Sequence, residues 1–497
     1  MSIFAAAFGL RAFADNPDLA QYQVVPPYAS ALQRTDVEIV IAVELQVAPV
    51  GSPGTPTTLY FATHGFATLP TDEIADQYVD GRIADCALRR QVEPGSSPNS
   101  RDGEPFPMLT SGVATAYASI VLDNSDGALD DLASDYYVDG RKVTVKAGFW
   151  PWSPSGRAGA IGSYDDFGTV FVGWAGPWER GLDSISLTVQ GVGQRLGKPV
   201  GNTVYAGTGQ HQGPEELADV SRPQVYGRCN SVETQLVDDV RQIQQLHDSE
   251  MNEILAVYAR GLKLNLGGGE SGTDFETYTA LRDKAEPANG EYATCLAEGY
   301  IKLGSNEEGL VTADVWGDKS ANRNLTQEPW ADGTYWTDDT GWASQASRVP
   351  VDTLAGMIWR IAEDRAGLTA VEINENTLRQ YDTLQPAQAG YRVAAGAAEI
   401  CLDAIGRIAA SDHAFVYPDQ YGRLALRRLD APADNSPHSI GELQIVEDGI
   451  EQIDLPYGVP PYRWRVWFER NWRVFAESEI AGLLDDSRRK ITLQRWG

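Results

Sequence analysis

LDNSDGALDDL, from Leu122 to Leu132, is followed closely by GRKVTVKAG, from Gly140 to Gly148. The apolar run Ile120, Val121 and Leu122 ends one strand, and the alternating Val143, Val145 and Ala147 mark a second. Asn and Asp hold tight turns with their own side chains and Gly supplies positive φ, so the sequence between them predicts a turn within a β domain. Its acids also invite a calcium reading. Counted from Asp123, an EF-hand loop needs Gly at its sixth position and a bidentate Glu at its twelfth, where this chain has Ala128 and Ser134. A turn that fixes a β domain is the better reading.

Working outward, Glu38 to Val47 and Thr57 to Gly65 alternate around a Pro/Gly loop and predict a hairpin. Strands are expected near Ala116 to Leu122, Val143 to Trp150, Gly168 to Trp174 and Ser184 to Val189. Residues 175–183 read as a turn-rich connection and the residues around Arg157 as a loop tip. Apolar positions in Glu233 to Gly261 fit a helix about as well as strands, and the β-rich surroundings favour partly extended structure. Tyr292 to Gly304 and Gly309 to Trp316 read as strands around the turn at Ser305 to Gly309.

Two helices are expected next. Val351, Leu354, Ala355, Ile358, Ile361 and Ala362 recur at helical spacing after Pro350, and the run stops at Arg365 and Gly367, a basic last turn followed by a Gly cap. Ala397, Ala398, Cys401, Leu402, Ile405, Ile408 and Ala409 form the second apolar stripe. A hairpin from Ala414 to Leu429, turning at Pro418 to Gly422, completes a compact α+β insert. Alternation returns at Tyr462 to Val474 and Lys490 to Trp496.

The expected fold is therefore mainly β with an α+β insert, its β domains sandwich-like or barrel-like. Four segments are expected: a β domain over 1–200, a second β-rich domain over 201–349 with a long aromatic loop at 316–342, the insert over 350–430, and C-terminal strands over 431–497 that rejoin an earlier domain. A chain of 497 residues exceeds one ordinary core. Its 49 Gly and 27 Pro, with 13 Trp and 21 Tyr, favour short strands and turns.

The net charge of −29 is spread along the chain without a basic stretch to neutralise phosphates, which argues against direct nucleic-acid binding. No segment reaches the roughly 18 apolar residues of a membrane span. The N-terminus is apolar but lacks the basic start of a signal peptide. Cys86, Cys229, Cys295 and Cys401 are far apart without CxxC spacing, so buried free thiols in a reducing compartment are expected rather than zinc or redox sites.

Catalytic signatures are not evident. None of the five histidines, His64, His211, His247, His413 and His438, stands in a hydrolase, zincin or phosphate-loop motif. A glycosidase needs two acids about 5 to 10 Å apart. The adjacent pairs Asp165/Asp166, Asp238/Asp239, Glu307/Glu308 and Asp485/Asp486 point to opposite faces if extended and read as solvated turns. No catalytic, metal or cofactor residues are assigned and no cofactor is expected. The most distinctive surface candidate is the segment from Trp316 to Trp342, where Trp330, Tyr335, Trp336 and Trp342 lie among polar residues. Such aromatics anchor protein interfaces, stack on sugar rings, or fold over their own domain.

Several separated pieces occur in one order: Asn124 to Asp130 (NSDGALD), Phe171 to Trp174 (FVGW), Tyr205 to Gly209 (YAGTG), Gly299 to Gly304 (GYIKLG) with Gly309 to Asp314 (GLVTAD), Tyr421 to Leu426 (YGRLAL), and Pro461 with Arg470 to Trp472 (RNW). Together they span most of residues 110 to 475. In that order the chain resembles siphophage tail-tip or baseplate hub proteins. The resemblance implies a structural virion protein and not an enzyme, made in the host bacterial cytoplasm and located at the tail tip. It implies a homo-oligomer, a trimer or alternatively a hexameric distal tail ring, contacting a distal tail or tail tube protein on one side and a central fibre or tip protein on the other. A carbohydrate-binding tail module using the Trp330 to Trp342 loop is the second class, and an acid-pair hydrolase the third.

Overall fold

The computed structural model describes residues 37–52, 54–92, 114–151, 163–305, 309–319, 335–337, 341–343, 352–412, 414–428, 470–476 and 479–480. The described chain is mainly β.

The first sheet is built from β1 (Val37–Pro49), β2 (Thr57–Ala62), β3 (Ile83–Val92), β4 (Ala114–Asp123), β5 (Lys142–Pro151), β6 (Gly168–Arg180) and β7 (Ser184–Gln190). Its spatial order is β2-β1-β5-β6-β7-β4-β3, every pair antiparallel, and it remains open at β2 and β3. The β1–β2 and β6–β7 hairpins stand where alternation predicts them, although β6 runs on to Arg180 through most of the expected turn. The open sheet excludes the barrel alternative for this region.

The connection from Asn124 to Arg141 is not a hairpin turn. β7 and β6 lie between β4 and β5, so it crosses the end of the sheet. Leu132 and Val138 from this crossover are buried in one core with Val43, Leu45, Ile120, Leu122, Val143, Val145, Phe171, Ile185 and Leu187. The turn residues let the chain reverse, and the apolar residues after them cover the core, which favours burial of their side chains by about 25 cal/mol per Å².

Two small sheets follow. One has β8 (Gln224–Glu233), β11 (Met251–Ala259), β14 (Val311–Asp318) and, flanking β8, β17 (Gly390–Val393). The other has β9 (Gln235–Asp238), β10 (Ile243–Gln245), β12 (Glu291–Cys295) and β13 (Tyr300–Leu303). Residues 233–261 are therefore partly extended, as the surroundings suggest, with a turn at 239–242 and a loop at 246–250 between the strands. Strands β13 and β14 do not form a hairpin; they belong to different sheets, and β13 pairs with β12. The two sheets share a core containing Val225, Val232, Leu246, Val257, Ile301, Leu303, Ala313 and Val315. On the far side of the second, α1 (Tyr278–Lys284) packs with Tyr205, Phe275 and Tyr300.

The short hairpin β15 (Tyr335–Thr337) and β16 (Gly341–Ala343) lies in the aromatic segment. Beyond it come α2 (Leu354–Arg360), α3 (Glu375–Leu384), α4 (Cys401–Ala410) and the hairpin β18 (Ala414–Pro418) with β19 (Leu424–Arg428). Thr353 caps α2 by accepting from the Gly356 N–H. A π-helical turn at Ile361–Arg365 extends α2, and Gly367, at φ +73°, ends it. α4 starts at Cys401 and not at Ala397, because the chain before it pairs with residues 198–200: Ile400 bridges Pro199, and the Val200 N–H donates to the Glu399 carbonyl at 2.9 Å. The helices, hairpin and residues Val192, Leu196 and Val200 form one core.

Strand β8 carries a bulge between Cys229 and Val232, with Ser231 at φ +51°. The bulge receives a distant segment: Trp472 and Arg473 N–H groups donate to the Asn230 and Ser231 carbonyls, both at 3.0 Å. Asn471 and Trp472 thus attach to this sheet, and the indole stands edge-on to Tyr391. The strands expected at 462–469 and 490–496, the loop around Arg157, and His413 and His438 lie outside the described residues.

Candidate functional site

The aromatic segment contributes a hairpin in which Trp336 is the register partner of Trp342 and Tyr335 that of Ala343. The fold therefore brings Trp336 and Trp342 to facing positions. Trp330 lies outside the described residues. Trp316, where the segment begins, belongs to β14 and is part of the sheet.

A second group of residues meets where α2 crosses the ends of the two small sheets. His247 and Asp248 stand between β10 and β11, Asp318 ends β14, and Arg360 at the end of α2 and Arg365 at the end of the π-helical turn reach them. The His247 side chain and the carboxylates of Asp248 and Asp318 are buried. Arg365 grips Asp248 with both terminal nitrogens, each at 2.9 Å, and its Nε donates to the Tyr226 hydroxyl at 3.1 Å. Thr203 and Gln224 donate to the same carboxylate at 2.6 and 2.7 Å. Arg360 Nε donates to Asp318 at 2.6 Å.

Burial opposes ionisation of Asp248, but the Arg365 guanidinium and the bonds from Arg365 and Thr203 more than offset it, so the carboxyl lies below its ordinary range. Burial likewise opposes the charge on Arg365, yet Tyr226 and Asp248 hold it firmly protonated. The Tyr226 hydroxyl is pushed up by burial. The result is a compensated charge cluster in the interior.

His247, Ser249 and Asp318 have the residue types of a hydrolytic triad, so their geometry must be tested. Ser249 Oγ is 2.9 Å from His247 Nε2, while Nδ1 accepts the Val225 N–H at 3.0 Å. An Nδ1 that accepts leaves the proton on Nε2, which then donates toward Ser249 instead of taking its proton. Asp318 Oδ1 is 3.8 Å from Nε2, on the wrong nitrogen to orient a general base, and its other oxygen is bound by Arg360. The cluster locks a helix to two sheets. It does not present an activated nucleophile.

At the end of the first sheet, Asp123, Asp126 and Asp130 are likewise engaged. Asp123 and Asp126 accept the N–H groups of Ser125 and Ala128, Arg82 binds Asp126 through two bonds of 2.8 Å, and Asn124 links Leu129 N–H to Asp130. The Arg82 bond leads the causes that lower the Asp126 carboxyl. Asp165 accepts from the Glu73 N–H, and buried Asp238 accepts from Tyr278 and Arg241. Burial pushes the Cys86, Cys229 and Cys295 thiols up to about 12 and Cys401 to about 11, away from thiolate chemistry. No helix among the described residues is long and apolar enough to cross a membrane.

Sequence reading named the aromatic candidates and found His247 in no catalytic motif. It missed Arg360, Arg365 and Asp318. Asp248 and Arg365 are 117 residues apart, and no local pattern pairs them.

No family model and no curated protein matches the chain. Among solved structures it is similar to a chain from the virion of a native gene transfer agent particle, with 14% identity and a TM-score of 0.23, covering 58% of this chain and 84% of that one. At that score the likeness decides neither fold nor role.

Proposed function

We propose that the protein is a structural virion component of a phage-type tail tip, acting as part of the baseplate hub and not as an enzyme. The observation that carries this reading is that three of the pieces that occur in one order are joints of the fold. The Asn124 loop opens the crossover that covers the first core, Gly299 lets the β12–β13 hairpin approach the His247 backbone, and the Asn471 segment clips into the β8 bulge. The most concentrated titratable cluster also serves to join elements. In this reading the four segments 1–200, 201–349, 350–430 and 431–497 build a ring-forming homo-oligomer, a trimer or alternatively a hexamer, between a distal tail or tube protein and a central fibre or tip protein. Cyclic assembly uses two different complementary patches per subunit.

The test is cryo-electron microscopy of particles from a host expressing the chain. Density for it at the distal end of the tail is the expected result. Its absence from the particle, or a location away from the tail end, overturns the proposal.

The register pairing of Trp336 with Trp342 supports a second, carbohydrate-binding reading. Trp336→Ala then abolishes binding to host-cell polysaccharide in a pull-down; unchanged binding removes that reading and leaves Trp330, Tyr335, Trp336 and Trp342 as candidate subunit contacts.

A further inference from the structure

The β6–β7 turn is held from two sides. Gly181 N–H donates to the Ser184 carbonyl and Asn124 N–H to the Asp183 carbonyl, both at 2.8 Å. On this braced turn Leu182 is 99% exposed. Leucine has no turn-forming chemistry to justify that position. Two more exposed apolar side chains occupy the same end of the sheet. Tyr137 pairs with Ala48, and the Val50 N–H donates to the Asp135 carbonyl at 2.8 Å. Trp178 donates to the Tyr136 carbonyl at 3.1 Å, and Arg180 to that of Asp130, so one stretch of backbone runs from Val50 to the base of the Leu182 turn.

On the same segments of chain Asp131, Asp135, Asp139, Glu179 and Asp183 are exposed. Arg82 and Arg180 are engaged with Asp126 and the Asp130 carbonyl, and Arg141 and Lys142 stand at the start of β5. A fully exposed leucine on a braced turn, with exposed carboxylates on the same segments, offers an apolar contact to a partner and sets the charge of what covers it.

We propose that this end of the first sheet docks a protein partner that is positively charged and offers an apolar recess to Leu182. A second copy of the chain fits poorly, because each copy carries a net charge of −29 and the same segments would set carboxylates against carboxylates. The inference stands independently of the tail-tip reading.

Two synthetic peptides of equal length and charge test it, one alternating Leu and Lys and the other Ser and Lys, titrated against the full chain and its Leu182→Ser variant. The wild-type chain binds the Leu–Lys peptide roughly ten- to a hundredfold more tightly than the Ser–Lys peptide, the margin expected from burying one leucine. Leu182→Ser loses that margin while its Tm stays unchanged, and affinity falls as salt is raised. Equal binding of both peptides by the wild type, or a preference that survives Leu182→Ser, overturns the proposal. So does wild-type self-association that Leu182→Ser abolishes, since the face is then a contact between copies.

Discussion

The Arg82–Asp126 pair at the end of the first sheet and the Arg365–Asp248 pair at the helix junction share one chemistry. Each is a two-pronged guanidinium–carboxylate contact, with bonds of 2.8 Å in the first and 2.9 Å in the second. Their surroundings are opposite: the Asp126 side chain is 56% exposed and that of Asp248 is 2%. Water competes for the first pair and keeps either partner comfortable alone. In the interior, losing one partner strands a charge. The outer pair trims a loop whose core residues already hold it, whereas the inner pair sets how α2 sits on two sheets.

Arg365→Met is expected to have the largest effect. It leaves Asp248 buried without its main countercharge, and urea unfolding is expected to show a loss of about 3–5 kcal/mol. Replacing both partners, Arg365→Met with Asp248→Leu, recovers much of that loss because no lone charge remains. A single variant as stable as the wild type would place the two pairs in the same class.

A smaller loss is expected from Gly227→Ala, which asks whether close backbone contact also holds the junction. Gly227 has φ +62°, and a Cβ there would stand 2.0 Å from the Ala389 carbonyl oxygen. The left-handed backbone alone costs roughly 1–2 kcal/mol for an L residue, and the clash with β17 adds to it. The thermal midpoint reads the change.

The pH dependence separates the pairs further. Asp248 is held below its ordinary range in the folded state, so its contribution is fully present above the unfolded value of about 3.9. It is lost as pH falls through the lower folded value. Unfolding free energies measured across the acid range therefore fall more steeply for the wild type than for the Arg365→Met, Asp248→Leu pair. The smallest effect belongs to Asp126→Asn, for which no detectable shift in thermal midpoint is expected.

Much of the fold was legible where neighbours in sequence are neighbours in space. Alternation located β1 and β2, and the turn at Pro418 to Gly422 located β18 and β19, because hairpins bury a face using residues a few positions apart. Helical spacing located α2, including its stop at Gly367. The short α1 and the mostly polar α3, with Leu378 and Tyr381 as its buried apolar residues, left too little stripe to read. Of the aromatic candidates, Trp336 and Trp342 proved to be register partners. The buried junction had no sequence signature, because its groups come from separate elements.

The β-rich character, the local hairpins, the capped end of α2 and the turn chemistry of Asn124 to Gly127 are all written in neighbouring residues. These follow from side-chain period and from φ preferences, both local properties. Tertiary structure decided that the Asn124 run crosses over two strands to cover a core, that β13 and β14 part into different sheets, that Asn471 enters the bulge at Ser231, and that Arg365 meets Asp248. Each joins residues far apart in the chain, and such pairings are chosen by how whole elements pack and by the cost of leaving a buried charge alone.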